Sequence, residues 1–119
     1  MVNNMKSYSD ILKDQNTLGR SFKQQSPDTL SAFMQLHKAA MSPGELDVKT
    51  KEMIALAIGI AARCDGCIAA HVAASLKAGA TKAQLVEVIN VAVLMGGGPS
   101  FTYGTLALGA IEEFEAQNR

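Results

Sequence analysis

The chain has 119 residues, 48% of them hydrophobic, with 11 basic residues balancing 11 acidic ones and no tryptophan. That length suits a single domain spanning 1–119, and a chain so apolar and so weakly charged does not have the composition of disorder. A formal net charge of zero gives no electrostatic footing for nucleic acid or an anionic membrane, so neither is expected as a partner.

The order of elements follows from capping and periodicity. The opening Met1-Val-Asn-Asn-Met-Lys-Ser-Tyr8 lacks the apolar core of a signal peptide, which points to a cytoplasmic chain. Tyr8 to Gln24 carries Ile11, Leu12, Leu18 and Phe22 at amphipathic helical spacing. Ser26-Pro27-Asp28 reads as a Ser N-cap with Pro at the first helical position, predicting a second helix from Pro27 to about Met41. All three prolines, Pro27, Pro43 and Pro99, are expected at helix starts.

Asp47 caps a third helix that runs to about Arg63. Its nearly pure apolar stretch, Met53 to Ala62, is too short for the ~18 residues that span a bilayer and predicts burial between neighbours. A fourth helix runs from about Cys64 to Gly79, a glycine placed for a left-handed C-terminal cap. Thr81-Lys-Ala-Gln84 is a capping-box sequence opening a fifth helix, Lys82 to about Met95. Gly96-Gly-Gly-Pro99 breaks it, and a sixth runs to about Ala116. Around Val86–Val93 the β-branched residues are interleaved with Glu87 and Asn90 at helical, not alternating, spacing. The reading is all-α, about six short helices. Apolar residues on the last two (Leu85, Val88, Ile89, Leu94; Leu106, Leu108, Ile111, Phe114) are expected to face identical subunits in a homo-oligomer.

Cys64-Asp65-Gly66-Cys67 is the one Cys-x-x-Cys. A disulfide within it closes so small a loop that it adds little stability, so chemistry is the better use for these thiols. On a helix beginning at Cys64, Cys64, Cys67 and His71 share one face, and Cys67 and His71 are an i,i+4 pair. The free N–H groups and partial positive charge of a helix N-terminus favour thiolate over thiol. With a neighbouring His, such placement lowers a cysteine pKa from ~8.5 into the range ~3.5–7.5. On the preceding helix Glu52 shares a face with Ala55, Leu56 and Gly59. The small residues there allow close approach of another helix, which brings Glu52 within reach of His71 as the carboxylate of a proton relay.

These residues also suit other uses. Cys64, Cys67 and His71 are zinc-competent, although one helical face rarely offers tetrahedral geometry. A non-enzymatic redox-sensing oligomer presents the same dithiol. His37 reads as structural and the six methionines as core filler. Gly96–Gly98 is no nucleotide fingerprint, since no strand precedes it and no P-loop Lys follows, so no cofactor is expected. Phe101 and Tyr103 are candidates to line a pocket.

Lys49-Thr-Lys-Glu52-Met-Ile-Ala-Leu-Ala, Cys64-Asp-Gly-Cys67-Ile-Ala-Ala-His71 and Lys77-Ala-Gly79-Ala-Thr81 together resemble the carboxymuconolactone decarboxylase family, specifically its AhpD-like alkylhydroperoxidase branch. The resemblance covers about residues 46–108 and matches the Glu, both Cys and the His of the branch motif. It implies an oligomeric AhpD-like helical bundle, trimeric or hexameric, with peroxiredoxin-type activity toward a small-molecule hydroperoxide. Cys67 would be the peroxidatic thiol, Cys64 the resolving one, and Glu52 and His71 the relay. The implied electron donor is a dithiol, either a lipoyl or a thioredoxin-like protein. The decarboxylase branch generally lacks the cysteine pair, which sets lactone decarboxylation behind peroxide reduction. The founding alkylhydroperoxidase has a histidine where this chain has Gly66.

Overall fold

Local chemistry sets most of the helix ends. The computed structural model describes residues 6–118, so Met1–Met5, and with them most of the opening stretch and two of the methionines, lie outside the described residues. Within these residues there are six helices and no strand. Helix α1 (Tyr8–Gln25) starts where the Asp10 N–H donates to the Ser7 hydroxyl oxygen. Helix α2 (Pro27–Met41) follows after one residue. Ser26 serves both helices, and its N–H closes α1 on Phe22 O. Its backbone (φ −144°, ψ 68°) lies outside the usual N-cap geometry, and its hydroxyl makes no capping bond, contrary to expectation.

Helix α3 (Val48–Ala61) is capped by Asp47, which accepts from the Thr50 N–H at 2.8 Å. Pro43 does not start it. Pro43 sits just past the Ser42 C-cap of α2, where a residue unable to continue a helix is useful. Helix α4 (Asp65–Lys77) has Cys64 itself as N-cap. Helix α5 (Lys82–Gly96) opens with the full Thr81–Gln84 capping box, and α6 (Gly98–Gln117) follows Gly97, with Pro99 in its first turn.

The core is built around α4, which lies against α1, α3 and α6. Leu56 and Ile60 of α3, Ile68 and Val72 of α4, Leu85 of α5 and Ile111 of α6 are all fully buried. Fully burying such a side chain contributes about 1.5–3 kcal/mol. Tyr8 joins them from the start of α1. The Glu113 carboxylate of α6 holds it there, accepting from the Ser7 hydroxyl at 2.6 Å and the Tyr8 N–H at 2.8 Å.

The burial pattern differs from expectation in three places. Helix α3 is not buried all round, because Ile54 and Ile58 face outward. On the last two helices Leu85, Ile111 and Phe114 belong to this chain's own core, leaving Leu94 exposed. Other open apolar side chains lie on α2 (Phe33, Met34, Leu36) and, beside Leu94 on α5, at Val91 and Met95. Of the described methionines, Met53 packs half-buried against the core as expected, Met41 is half-buried, and Met34 and Met95 are exposed. Methionine's flexible stem fits it to irregular surfaces as readily as to interiors. Among the described residues no helix is long and apolar enough to cross a membrane.

Candidate functional site

The turn between α3 and α4 fixes the first cysteine. Arg63 N–H donates to Ile60 O at 3.1 Å and Cys64 N–H to Gly59 O at 3.0 Å, the paired bonds of a Schellman cap. That cap requires a left-handed residue at position 63, and Arg63 supplies it with φ 57°. Cys64 is therefore the last residue of one helix cap and the first of the next. Its sulfur accepts the Cys67 N–H at 3.1 Å, and the Cys64 and Cys67 sulfurs are bonded to each other. The dithiol is thus seen in its oxidised form, at the end of α4 where the helix dipole is positive.

Gly59 brings the two helices together at this point. A Cβ placed on it would lie 3.0 Å from the Cys67 Cβ, closer than side chains pack without adjustment. Two turns before Gly59 on the same face of α3 stands Glu52, and one turn beyond Cys67 on α4 stands His71. There His71 Nδ1 lies 2.7 Å from Glu52 Oε1. Glu52 is only 7% exposed, and a carboxylate so enclosed needs a donor. In the tautomer that donates Nδ1–H to Glu52, Nε2 is the nitrogen left to exchange protons. The structure thus gathers Glu52, Cys64, Cys67 and His71 along one helix–helix seam. A hollow of about 500 Å³ bordered by Asp47, Lys49, Glu52, Ala74 and Lys77 opens at the Glu52 end of it.

Three residues at this site had no signal in the sequence. Tyr8 donates its hydroxyl to Asp65 Oδ1, Lys6 donates to Asp65 Oδ2, each at 2.9 Å, and Gln15 of α1 lies over Gly66. Their positions in the chain are far from the Cys-x-x-Cys, so no local spacing links them to it. The two aromatics named as pocket candidates differ in fate: Tyr103 is half-buried against the core, and Phe101 is exposed. His37 is exposed on α2. With the sulfurs joined, the described residues hold no group of three or more His, Cys, Asp or Glu side chains placed for a metal ion.

Known proteins share this arrangement of helices. The carboxymuconolactone decarboxylase family matches residues 27–110. An uncharacterised protein of Cupriavidus necator is 38% identical over 93 residues, covering 78% of this chain and 82% of its own. Among solved structures, an apo carboxymuconolactone decarboxylase family protein from Legionella pneumophila superposes with a TM-score of 0.87. The two are 44% identical, with 90% of this chain and 96% of that one covered. A family member from Thermotoga maritima, described with a suggested part in the antioxidative response, gives a TM-score of 0.81 at 28% identity, covering 92% of each chain.

Proposed function

The chain belongs to the carboxymuconolactone decarboxylase family, and from that premise we propose that it is a thiol-dependent hydroperoxide reductase with a working Cys64–Cys67 dithiol. The observation that carries the reading is the seam itself: two sulfurs at the start of α4, with a buried Glu52–His71 hydrogen bond beside them. The antioxidative role suggested for the Thermotoga maritima protein supports it.

In this reading the reduced enzyme presents Cys67 as thiolate, stabilised by the first-turn N–H groups and the dipole of α4. The thiolate attacks the terminal oxygen of the hydroperoxide and the O–O bond breaks, leaving Cys67 as sulfenic acid and the substrate as alkoxide. His71, held by Glu52, supplies the proton that turns alkoxide into alcohol. The Cys64 thiol then attacks the Cys67 sulfur, the S–O bond breaks, and water leaves as the disulfide forms. An external dithiol, a lipoyl or thioredoxin-like protein, returns two electrons and two protons by thiol–disulfide exchange and departs as its own disulfide. The setting is a reducing cytoplasm, and the assembly a homotrimer or homohexamer.

Replacing Cys67 with Ser should abolish peroxide consumption driven by a dithiol such as dihydrolipoamide, while circular dichroism stays unchanged. Wild-type rates in that variant would refute the assignment. Lactone decarboxylation stands behind this reading because it makes no use of the dithiol.

A further inference from the structure

Lys6, Tyr8 and Asp65 form a chain of polar contacts at the start of α4 that the chemistry above leaves unused. Asp65 is the first residue of that helix and sits between the two cysteines. An ionised carboxylate there is a rival to the thiolate. Both draw on the same free N–H groups and dipole, and within one helical turn they repel each other.

The structure shows that carboxylate held. Tyr8 is 1% exposed, so its hydroxyl has little freedom, and it donates to Asp65 Oδ1 at 2.9 Å. Lys6 Nζ donates to Oδ2 at 2.9 Å. Tyr8 is itself anchored by Glu113, which accepts its N–H. Burial opposes ionisation of Asp65, but the hydrogen bonds from Lys6 and Tyr8 outweigh it and keep the carboxyl below its usual range. Burial, reinforced by Asp65, raises the Tyr8 phenol, so the ring remains a donor at neutral pH.

Resting on the dithiol reading above, we propose that Tyr8 is a positioning residue: with Lys6, it holds the Asp65 carboxylate so that this charge does not suppress ionisation of the Cys67 thiol. Other titratable or charged groups toward this part of the fold include Arg63 in the turn, Glu113 and Tyr103 on α6, and the Glu52–His71 pair. None of these takes a hydrogen bond from the Tyr8 hydroxyl, whose partner is Asp65.

The test is the rate of iodoacetamide alkylation of the reduced full-length protein as a function of pH, with Cys67 modification followed by mass spectrometry. Tyr8→Phe keeps the ring and removes the hydroxyl. It should slow Cys67 alkylation at neutral pH about three- to tenfold and move the midpoint of its pH dependence toward alkaline values. Adding Asp65→Asn to that variant should restore the wild-type rate, which repair of a merely structural loss would not do. An unmoved midpoint in Tyr8→Phe, or a double variant that stays slow, overturns the proposal. Should Tyr8→Phe fold poorly, Lys6→Met alters an exposed group and should shift the midpoint the same way by less, and no shift there overturns the proposal equally. Peroxide turnover by the wild type, measured in parallel, separates the two readings: its absence removes the peroxidase but leaves the alkylation profile to decide the role of Tyr8.

Discussion

The two ends of α4 are joined to their neighbours by the same hydrogen bonds and by opposite residue choices. At the C-terminal end Gly79 N–H donates to Leu76 O and Ala80 N–H to Ser75 O, matching the bonds of Arg63 and Cys64 at the other. Gly79 takes the left-handed position with φ 101°, at no steric cost. Arg63 takes the equivalent position with φ 57°, a conformation that costs a non-glycine residue roughly 1–2 kcal/mol. One turn only connects helices. The other delivers Cys64 to the start of α4 as a capping residue bonded to Cys67. Backbone strain thus sits where the dithiol is held, as expected when the surrounding structure over-determines a functional position.

The contrast breaks hardest at His71, midway along α4. If the seam with Glu52 is a proton relay, His71→Ala should lower peroxide turnover at neutral pH by roughly 100-fold or more and change the shape of the pH–rate profile. A loss no greater than that of an exposed substitution on the same helix, with an unaltered profile, would leave His71 a structural partner of Glu52. Stopped-flow peroxide consumption at several pH values reads both outcomes.

Matched substitutions in the two turns sharpen the contrast at smaller scale. Gly79→Ala forces a Cβ into the left-handed region and should destabilise the protein by about 1 kcal/mol. Arg63→Gly relieves that cost, less the backbone entropy glycine loses on folding, and should stabilise it by about 0.5–1 kcal/mol. Opposite shifts in urea midpoint are the expected result. Shifts of the same sign would show that the Arg63 side chain contributes more than its backbone costs.

These two turns also separate what is legible in a sequence from what only the fold sets. Gly79, the Thr81–Gln84 box, the Asp47 cap and Pro27 announce themselves because capping is chemistry among neighbouring residues. The approach of α4 to α3 was legible through the small residues of one face, and Gly59 is where it happens. Arg63 gave no sign, since its left-handed backbone is imposed by packing and not by residue type. The Tyr8–Asp65 and Tyr8–Glu113 contacts join residues 57 and 105 apart, beyond any local pattern. The outward face of α3 was hidden for a different reason: on a helix apolar nearly all round, periodicity cannot say which side is covered.

The charges at the ends of α4 give the smallest and most specific effect. Asp65 in the first turn and Lys77 in the last both complement the helix dipole, but Asp65 also has Tyr8 and Lys6 as donors. Its carboxyl is therefore harder to protonate in the folded protein than at its ordinary value of 3.8. The unfolded chain binds that proton more readily, so the contribution of Asp65 is complete above about pH 5. It is lost as pH falls through 3.8 toward the lower folded value. Since the carboxylate is part-exposed, the contribution is on the order of a few tenths of a kcal/mol. In Asp65→Asn the urea midpoint should fall less steeply over this acid range than in the wild type, with the two curves separated at neutral pH and converging below it. Parallel curves would mean that Tyr8 and Lys6 hold Asp65 no better in the folded chain than water does in the unfolded one.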